Sequence, residues 1–422
     1  MAPVAPSGAL TRLGDLVEIS KGISYQGRYL TAQGLPLVNL KCIGRGGGFR
    51  KDGLKPYSGP HKPHQMVVPG DIVVANTDLT QAGEIIGCPA VVPTLPNSDY
   101  GLISHHLCRV RPLDPAALDH RYLYYMLRAP RFRDHARSVA SGTTVLGFRT
   151  ADIEAFELLL PPISTQAVVG AALGAIDDLI ENNRRRVDVL EEMARAIYRE
   201  WFVNFRYPGH EDATFVDSPL GPIPEGWEFV SLVDEARITM GQSPKSEFYN
   251  SDGDGTPFHQ GVTDFGTHFP THRKYCTADG REAAAGDILV SVRAPVGRLN
   301  VADTRLVIGR GLAGVHSLRG HQGLLFGSLK EIFAEEDSMG GGTIFKAIGK
   351  KELEHVQVPR PPIDLAELAN RQLSSQYELI RALTFASRRL ASIRDVLLPR
   401  LVTGQIDVSS LDLDALVGAG AA

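Results

Sequence analysis

The chain has 422 residues, and its 44 Lys and Arg against 48 Asp and Glu leave a formal net charge of −4. That length suggests two or more domains, and 43% hydrophobic against 22% charged residues exclude a mostly disordered chain. Taken whole, the charge also argues against a nucleic-acid binder, no unbroken apolar run approaches the ~20 residues of a membrane span, and no signal peptide opens the chain. The four cysteines form no CxxC pair, which fits a reduced, cytoplasmic protein.

In chain order, short β-like runs come first, Gln65–Val68 and Asp71–Ala75, separated by Gly and Pro clusters. A short helix is predicted over Asp119–Leu127. After Pro161-Pro162 the pattern changes. Leu173, Ile176, Ile180, Asn183, Val187, Leu190, Ala194, Ile197 and Trp201 alternate by three and four, a coiled-coil seam of about four heptads. Asn183 on that seam costs stability and fixes register. Residues 205–226, rich in Pro and Gly, read as a connector. A second β-like region follows, with Asp287–Val292 as its clearest run and a helix over Leu324–Phe333. Pro361-Pro362 then opens a second seam of Leu373, Gln376, Ile380, Leu383, Ser387, Leu390, Arg394, Leu397 and Leu401.

The two halves are copies. Residues 142–163 align without gaps on 342–363, an offset of 200 that the seam shares. Pro69–Val74 matches Ala285–Val290 at 216, and Leu13–Ile19 matches Leu232–Ile238 at 219. The expected architecture is α+β: a tandem duplication of an α/β globule followed by a long helix, the two helices pairing as an antiparallel coiled coil. The boundaries read as 1–163, 164–204, 205–226, 227–363, 364–403 and a tail, 404–422.

Catalytic motifs are absent. No GxxxxGK[ST], HExxH, GxSxG or SxxK occurs, and no metal site is expected. A duplicated binder on a helical spacer suits a target in two parts. The first seam spans 29 residues, about 42 Å at ~1.5 Å per residue, against about 34–36 Å for a DNA turn.

Several stretches carry a family resemblance. They are Pro257–Gly266, Gly286–Gly297, Ile308–Leu312, Met193–Phe202 and Leu397–Ile406. In this order and spacing the chain resembles the specificity (S, HsdS) subunit of type I restriction–modification enzymes. The match covers both halves. The first globule departs most, with Ala75-Asn76-Thr77-Asp78 where the second has Ser291-Val292-Arg293-Ala294. The resemblance implies a non-catalytic subunit whose two target recognition domains each read one part of a bipartite, asymmetric site in double-stranded DNA. The helices set the spacer and dock two modification (methyltransferase) subunits. S-adenosylmethionine belongs to those subunits, ATP and Mg²⁺ to the restriction subunits that join them, and this chain holds no cofactor. The rival reading is a protein scaffold that acts through the helices and reads no DNA.

Phosphate contacts call for Lys, Arg and small hydroxyls, and base contacts for Arg, Lys, Asn, Gln or carboxylates. The candidates are Lys41, Arg45, Arg50, Lys51, Asn76, Thr77, Thr143 and Arg149 in the first globule. In the second they are Gln260, Arg273, Lys274, Arg293, Thr343, Lys346 and Lys350. Cut at the boundaries, the charge tells a different story. Residues 1–150 carry 17 − 10 = +7 and residues 218–360 carry 15 − 18 = −3. The whole-chain value never measured a DNA-facing surface, and the exclusion drawn from it lapses.

Overall fold

The computed structural model describes residues 9–218, 221–338 and 347–408. The long helices are Ile163–Tyr198, continued by a π-helical turn Arg199–Val203, and Ile363–Val402. The chain forms two compact units, Met1–Asn182 with Ser387–Ala422, and Asn183–Ala386. Each unit therefore takes one globule together with one end of each long helix.

In the first unit, strands Val17–Lys21, Leu107–Pro112, Ile72–Ala75 and Pro89–Val91 lie side by side in that order, all antiparallel. A second sheet places Leu30–Val38 parallel to Gly101–Ile103. A ribbon of Ala9–Arg12 on Glu157–Leu160 closes the globule. Two short helices, His120–Arg128 and Pro130–Val139, cover the first sheet. The second of these was not foreseen. The core runs from Ile72, Val74 and Val110 through Leu123 and Phe132 to Val169, Leu173, Leu398 and Leu401 on the long helices.

The second unit repeats this plan. Ala236–Met240, Leu312–Ser317, Ile288–Ser291 and Leu299–Val301 form the matching antiparallel sheet. Thr256–His259 runs parallel to Leu306–Ile308, and Glu228–Ser231 pairs with Gln357–Arg360. One helix, Gln322–Ser338, covers the sheet. Small features repeat as well. Asp71 accepts from the Val68 N–H and holds Arg111; Asp287 accepts from the Ala284 N–H and holds His316. The long helix supplies an amide to the start of the covering helix in both. The Asp119 N–H donates to Gln166 Oε1 at 2.9 Å, and the Gly323 N–H donates to Asn370 Oδ1 at 3.0 Å. These satisfy amides that a helix start leaves without an intrahelical partner.

Within each unit the helices run antiparallel, because rising numbers on one meet falling numbers on the other. In the first unit Leu173 shares a core with Leu398 and Leu401, and Asp177 pairs with Arg394. In the second, Val187 packs with Ile380 and Leu383, and Tyr198 and Phe202 join Ala366, Ala369 and Leu373. No seam position on either helix is exposed. Arg394 interrupts the apolar pattern only on paper, since its guanidinium lies 2.6 Å from the Asp177 carboxylate. The first long helix has a stretch long and apolar enough to cross a membrane by length and composition. Val169, Leu173, Val187, Ala194 and Tyr198 place its apolar stripe in protein cores instead.

A carboxylate on the first helix also ties it to the second globule. Glu191 lies 2.6 Å from His268 Nε2 and 3.0 Å from Lys330 Nζ. Burial opposes its ionisation, but the close His268 ring and the Lys330 charge outweigh that and hold its carboxyl at about 2, against a usual 4.5. A folded pKa below the unfolded one stabilises above pH 4.5 and is lost as pH falls toward 2, a contribution of about 3 kcal/mol at neutral pH. Glu191→Gln should therefore lower Tm at pH 6, with the difference from wild type shrinking below pH 4. A Tm difference independent of pH over that window would contradict the assignment.

Candidate nucleic-acid interface

Each globule ends its two sheets at one edge, and the backbone there is the same twice. In the first globule the ladder between Ile72–Ala75 and Leu107–Pro112 continues through the Asn76 N–H, which donates to His106 O in the turn closed by the Leu107 N–H on Ser104 O. In the second the Val292 N–H donates to Gly311 O, and Arg310 lies in the turn closed by the Leu312 N–H on Gly309 O. Beyond them, Gly147 pairs with Thr77 and the Phe148 N–H donates to Asn76 O; Ala347 pairs with Arg293 and the Ile348 N–H donates to Val292 O. A glycine is required where the sheets cross. A Cβ on Gly22 would lie 2.1 Å from Ser104 O, and one on Gly241 would lie 2.2 Å from Gly309 O.

This edge gathers some of the expected residues. Asn76 Nδ2 donates to His105 O at 3.3 Å, the Thr77 hydroxyl meets His106 Nδ1 at 2.8 Å, and Gln81 Nε2 donates to Thr143 O at 2.6 Å. Burial and the adjacent His105 push His106 below the usual imidazole range. In the second globule a chain of donors runs from the Arg310 N–H to Ser243 Oγ and on to Gln260 Oε1, at 3.2 and 2.8 Å. The carbonyl of the exposed Gln260 side chain thus accepts from Ser243. His105, His106, Arg310 and Ser243 were not among the residues expected here.

The remaining candidates fall into groups. Lys41, Arg50 and Lys51 sit on a separate loop held by Asn39, whose Nδ2 donates to Gly53 O at 2.6 Å. Arg149 starts a five-residue helix, and Lys350 starts its counterpart. Several expected cations already face carboxylates: Arg45 Glu84, Arg50 Asp52, Arg149 Asp152, Arg273 Asp264 and Lys350 Glu354. Exposed pairs of this kind are weak and exchange readily with a phosphate. Lys41, Lys51, Lys274 and Arg293 face no carboxylate within 4 Å among the described residues. Thr343 and Lys346 lie outside the described residues.

Beneath the second edge, His259 Nε2 lies 2.9 Å from His272 Nδ1, and His272 Nε2 lies 3.0 Å from Asp303. Burial and His272 push His259 down to about 4, so it is neutral near pH 7. This buried row supports the segment that carries Arg273 and Lys274. No group of His, Cys, Asp and Glu suited to a metal occurs among the described residues. Burial raises the Cys42 thiol to about 11 and Cys108 to about 12, which leaves both unreactive.

No protein-family model matches the chain. Among curated proteins it is 31% identical over 346 residues to the MjaX type I restriction enzyme specificity subunit of Methanocaldococcus jannaschii, covering 81% of this chain and 79% of that protein. It is 22% identical over 321 residues to the MjaVIII specificity subunit of the same organism, covering 70% and 72%. Among solved structures, the type I restriction–modification S subunit from M. genitalium superposes with a TM-score of 0.61 at 15% identity, over 95% of this chain and 99% of that one. That likeness is one of fold.

Proposed function

The chain belongs to the family of type I restriction enzyme specificity subunits, and we propose on that footing that it is the DNA-reading component of such an enzyme. Each globule, 1–163 and 227–363, acts as a target recognition domain for one part of a bipartite site. The observation that carries this is the duplicated edge. One backbone frame is built twice, and it presents Asn76, Thr77, His105 and His106 in one copy and Val292, Arg293, Arg310 and Gly311 in the other. A reader of one symmetric sequence needs like side chains on both frames; these differ, so the two half-sites differ.

The segments 164–204 and 364–403 set the spacer and dock two modification subunits. Those partners bring S-adenosylmethionine and methylate adenine. Restriction subunits bring ATP and Mg²⁺, and this chain contributes recognition only. Its second globule carries no net positive charge, so the subunit alone grips DNA weakly and the modification subunits complete the phosphate contacts. Methylation mapping of DNA treated with the reconstituted modification complex tests the reading. The expected product is adenine methylation at one asymmetric sequence split by a fixed gap. Methylation that follows no bipartite motif would refute it.

A further inference from the structure

In each globule the third and fourth strands across the matching sheet are antiparallel neighbours, yet no short turn joins them. Ile72–Ala75 leads to Pro89–Val91 through residues 76–88, and Ile288–Ser291 leads to Leu299–Val301 through 292–298. A turn of about 2–5 residues suffices for such neighbours. One backbone frame thus carries two loops of different length and sequence. Ordered loops of this kind, set on a rigid frame, are where binding specificity is placed.

Each loop is pinned by a polar side chain at its own start, Asp78 in one and Ser291 in the other, both only 1% exposed. The Asp78 carboxylate accepts from the Thr80 N–H and the Thr80 hydroxyl, both at 2.8 Å. It also accepts from the Ile85 and Ile86 N–H groups, at 2.7 and 3.3 Å. The Ser291 hydroxyl donates to Pro295 O at 2.6 Å and accepts from the Arg298 N–H at 2.8 Å. Each side chain therefore ties the departing end of its loop to the returning end. The return is held against the helix that covers the sheet. A Cβ on Gly87 would lie 2.5 Å from Ala136 Cβ, and one on Gly297 would lie 2.8 Å from Phe333 Cδ1. Arg133 adds bonds to Glu84 O and Ile86 O at 2.9 and 3.1 Å. Between these fixed ends Leu79–Ala82 and Arg293–Pro295 are exposed. Burying a carboxylate is costly unless it is fully bonded, and a loop that only closes two strands needs none.

We propose that Asp78 and Ser291 are positioning residues for base recognition, each fixing the loop that sets the sequence preference of its globule, 76–88 for one half-site and 292–298 for the other. This rests on the DNA-reading function proposed above. The test uses the full chain in complex with its modification subunits. The methylation motif is mapped for wild type and each variant, and affinity for an unrelated duplex is measured beside it.

Asp78→Ala should relax one half-site, with discrimination against wrong bases there falling about 10- to 100-fold. The other half-site and the gap should stay as in wild type. Ser291→Ala should do the same to the opposite half-site. Asp78→Asn keeps one accepting oxygen in place of two and should relax the same half-site as alanine, but less far. Affinity for the unrelated duplex should stay within about twofold of wild type, because phosphate contacts carry it. Ser291→Ala removes only the hydroxyl and leaves the Ser291 N–H on Arg298 O, so it tests the proposal even where Asp78→Ala fails to fold. A lowered methylation rate with the wild-type motif kept would mark a merely structural role and overturn the proposal. Two alanine variants that relax the same half-site would overturn it as well. A wild-type complex that methylates no bipartite motif would instead refute the parent reading.

Discussion

Asp177→Ala is expected to destabilise the first unit by about 3–5 kcal/mol, the range for removing one partner of a buried ion pair. The carboxylate takes a bond of 2.8 Å from the Tyr125 hydroxyl, 3.0 Å from Arg128 and 2.6 Å from Arg394. The two guanidinium side chains are only 11% and 12% exposed. Alanine leaves Arg128 without a carboxylate and Arg394 with Asp395 alone, at 2.8 Å. It also frees the Tyr125 hydroxyl in a site where burial, followed by the Asp177 charge, pushes its titration far above the usual range. Asp177→Asn keeps acceptors but removes the charge, and should fall between alanine and wild type. Hydrogen exchange of the Val169–Leu173 amides, which lie in the same unit, reports the loss directly. A change below about 1 kcal/mol would show that water and Asp395, not Asp177, balance the arginines.

Asp177 also marks how far the sequence could be read. The seams were legible because the three-four period survives three polar positions, and the pairing of Arg394 with Asp177 explains why one of them is tolerated. The duplication was legible because a fixed offset of 200 runs from the loop before each Pro-Pro through the helix. The second short helix, Pro130–Val139, was missed because its buried residues, Phe132, Arg133 and Ala136, make too short an apolar stripe. The reading edge was only half visible. Asn76, Thr77, Thr143 and Arg293 could be chosen from residue type and neighbouring glycines. His106 against Thr77 is a contact 29 residues apart in sequence, which no local pattern announces. Partners decided the rest. Arg149 with Asp152 and Lys350 with Glu354 are visible as spacings of three and four, whereas Arg45 with Glu84 is not. Net charge failed for the same reason, because a count over residues does not know which charges already face each other.

Leu379→Glu with Met193→Glu is expected to reduce the bound modification subunits from two to one. Leu179 and Ile393 are 47% and 42% exposed on the helices of the first unit; Leu379 and Met193 are 41% and 49% exposed on those of the second. Leu179 and Leu379 differ by 200, as do Met193 and Ile393, so each unit carries the same apolar pair on its two antiparallel helices. Exposed Leu, Ile and Met at both copies of one position fit a surface that a protein partner covers, and two like surfaces call for two copies of one partner. Burying such side chains contributes about 2 kcal/mol each, and a carboxylate in their place adds a desolvation cost. The pair should therefore weaken one site by about three orders of magnitude or more. Because the side chains are exposed in the free chain, circular dichroism and Tm should stay near wild type. Native mass spectrometry of the reconstituted complex gives the count. Leu179→Glu with Ile393→Glu should likewise leave one subunit, and all four together none. Two subunits retained by the fourfold variant would place docking elsewhere and leave the apolar pairs without a partner.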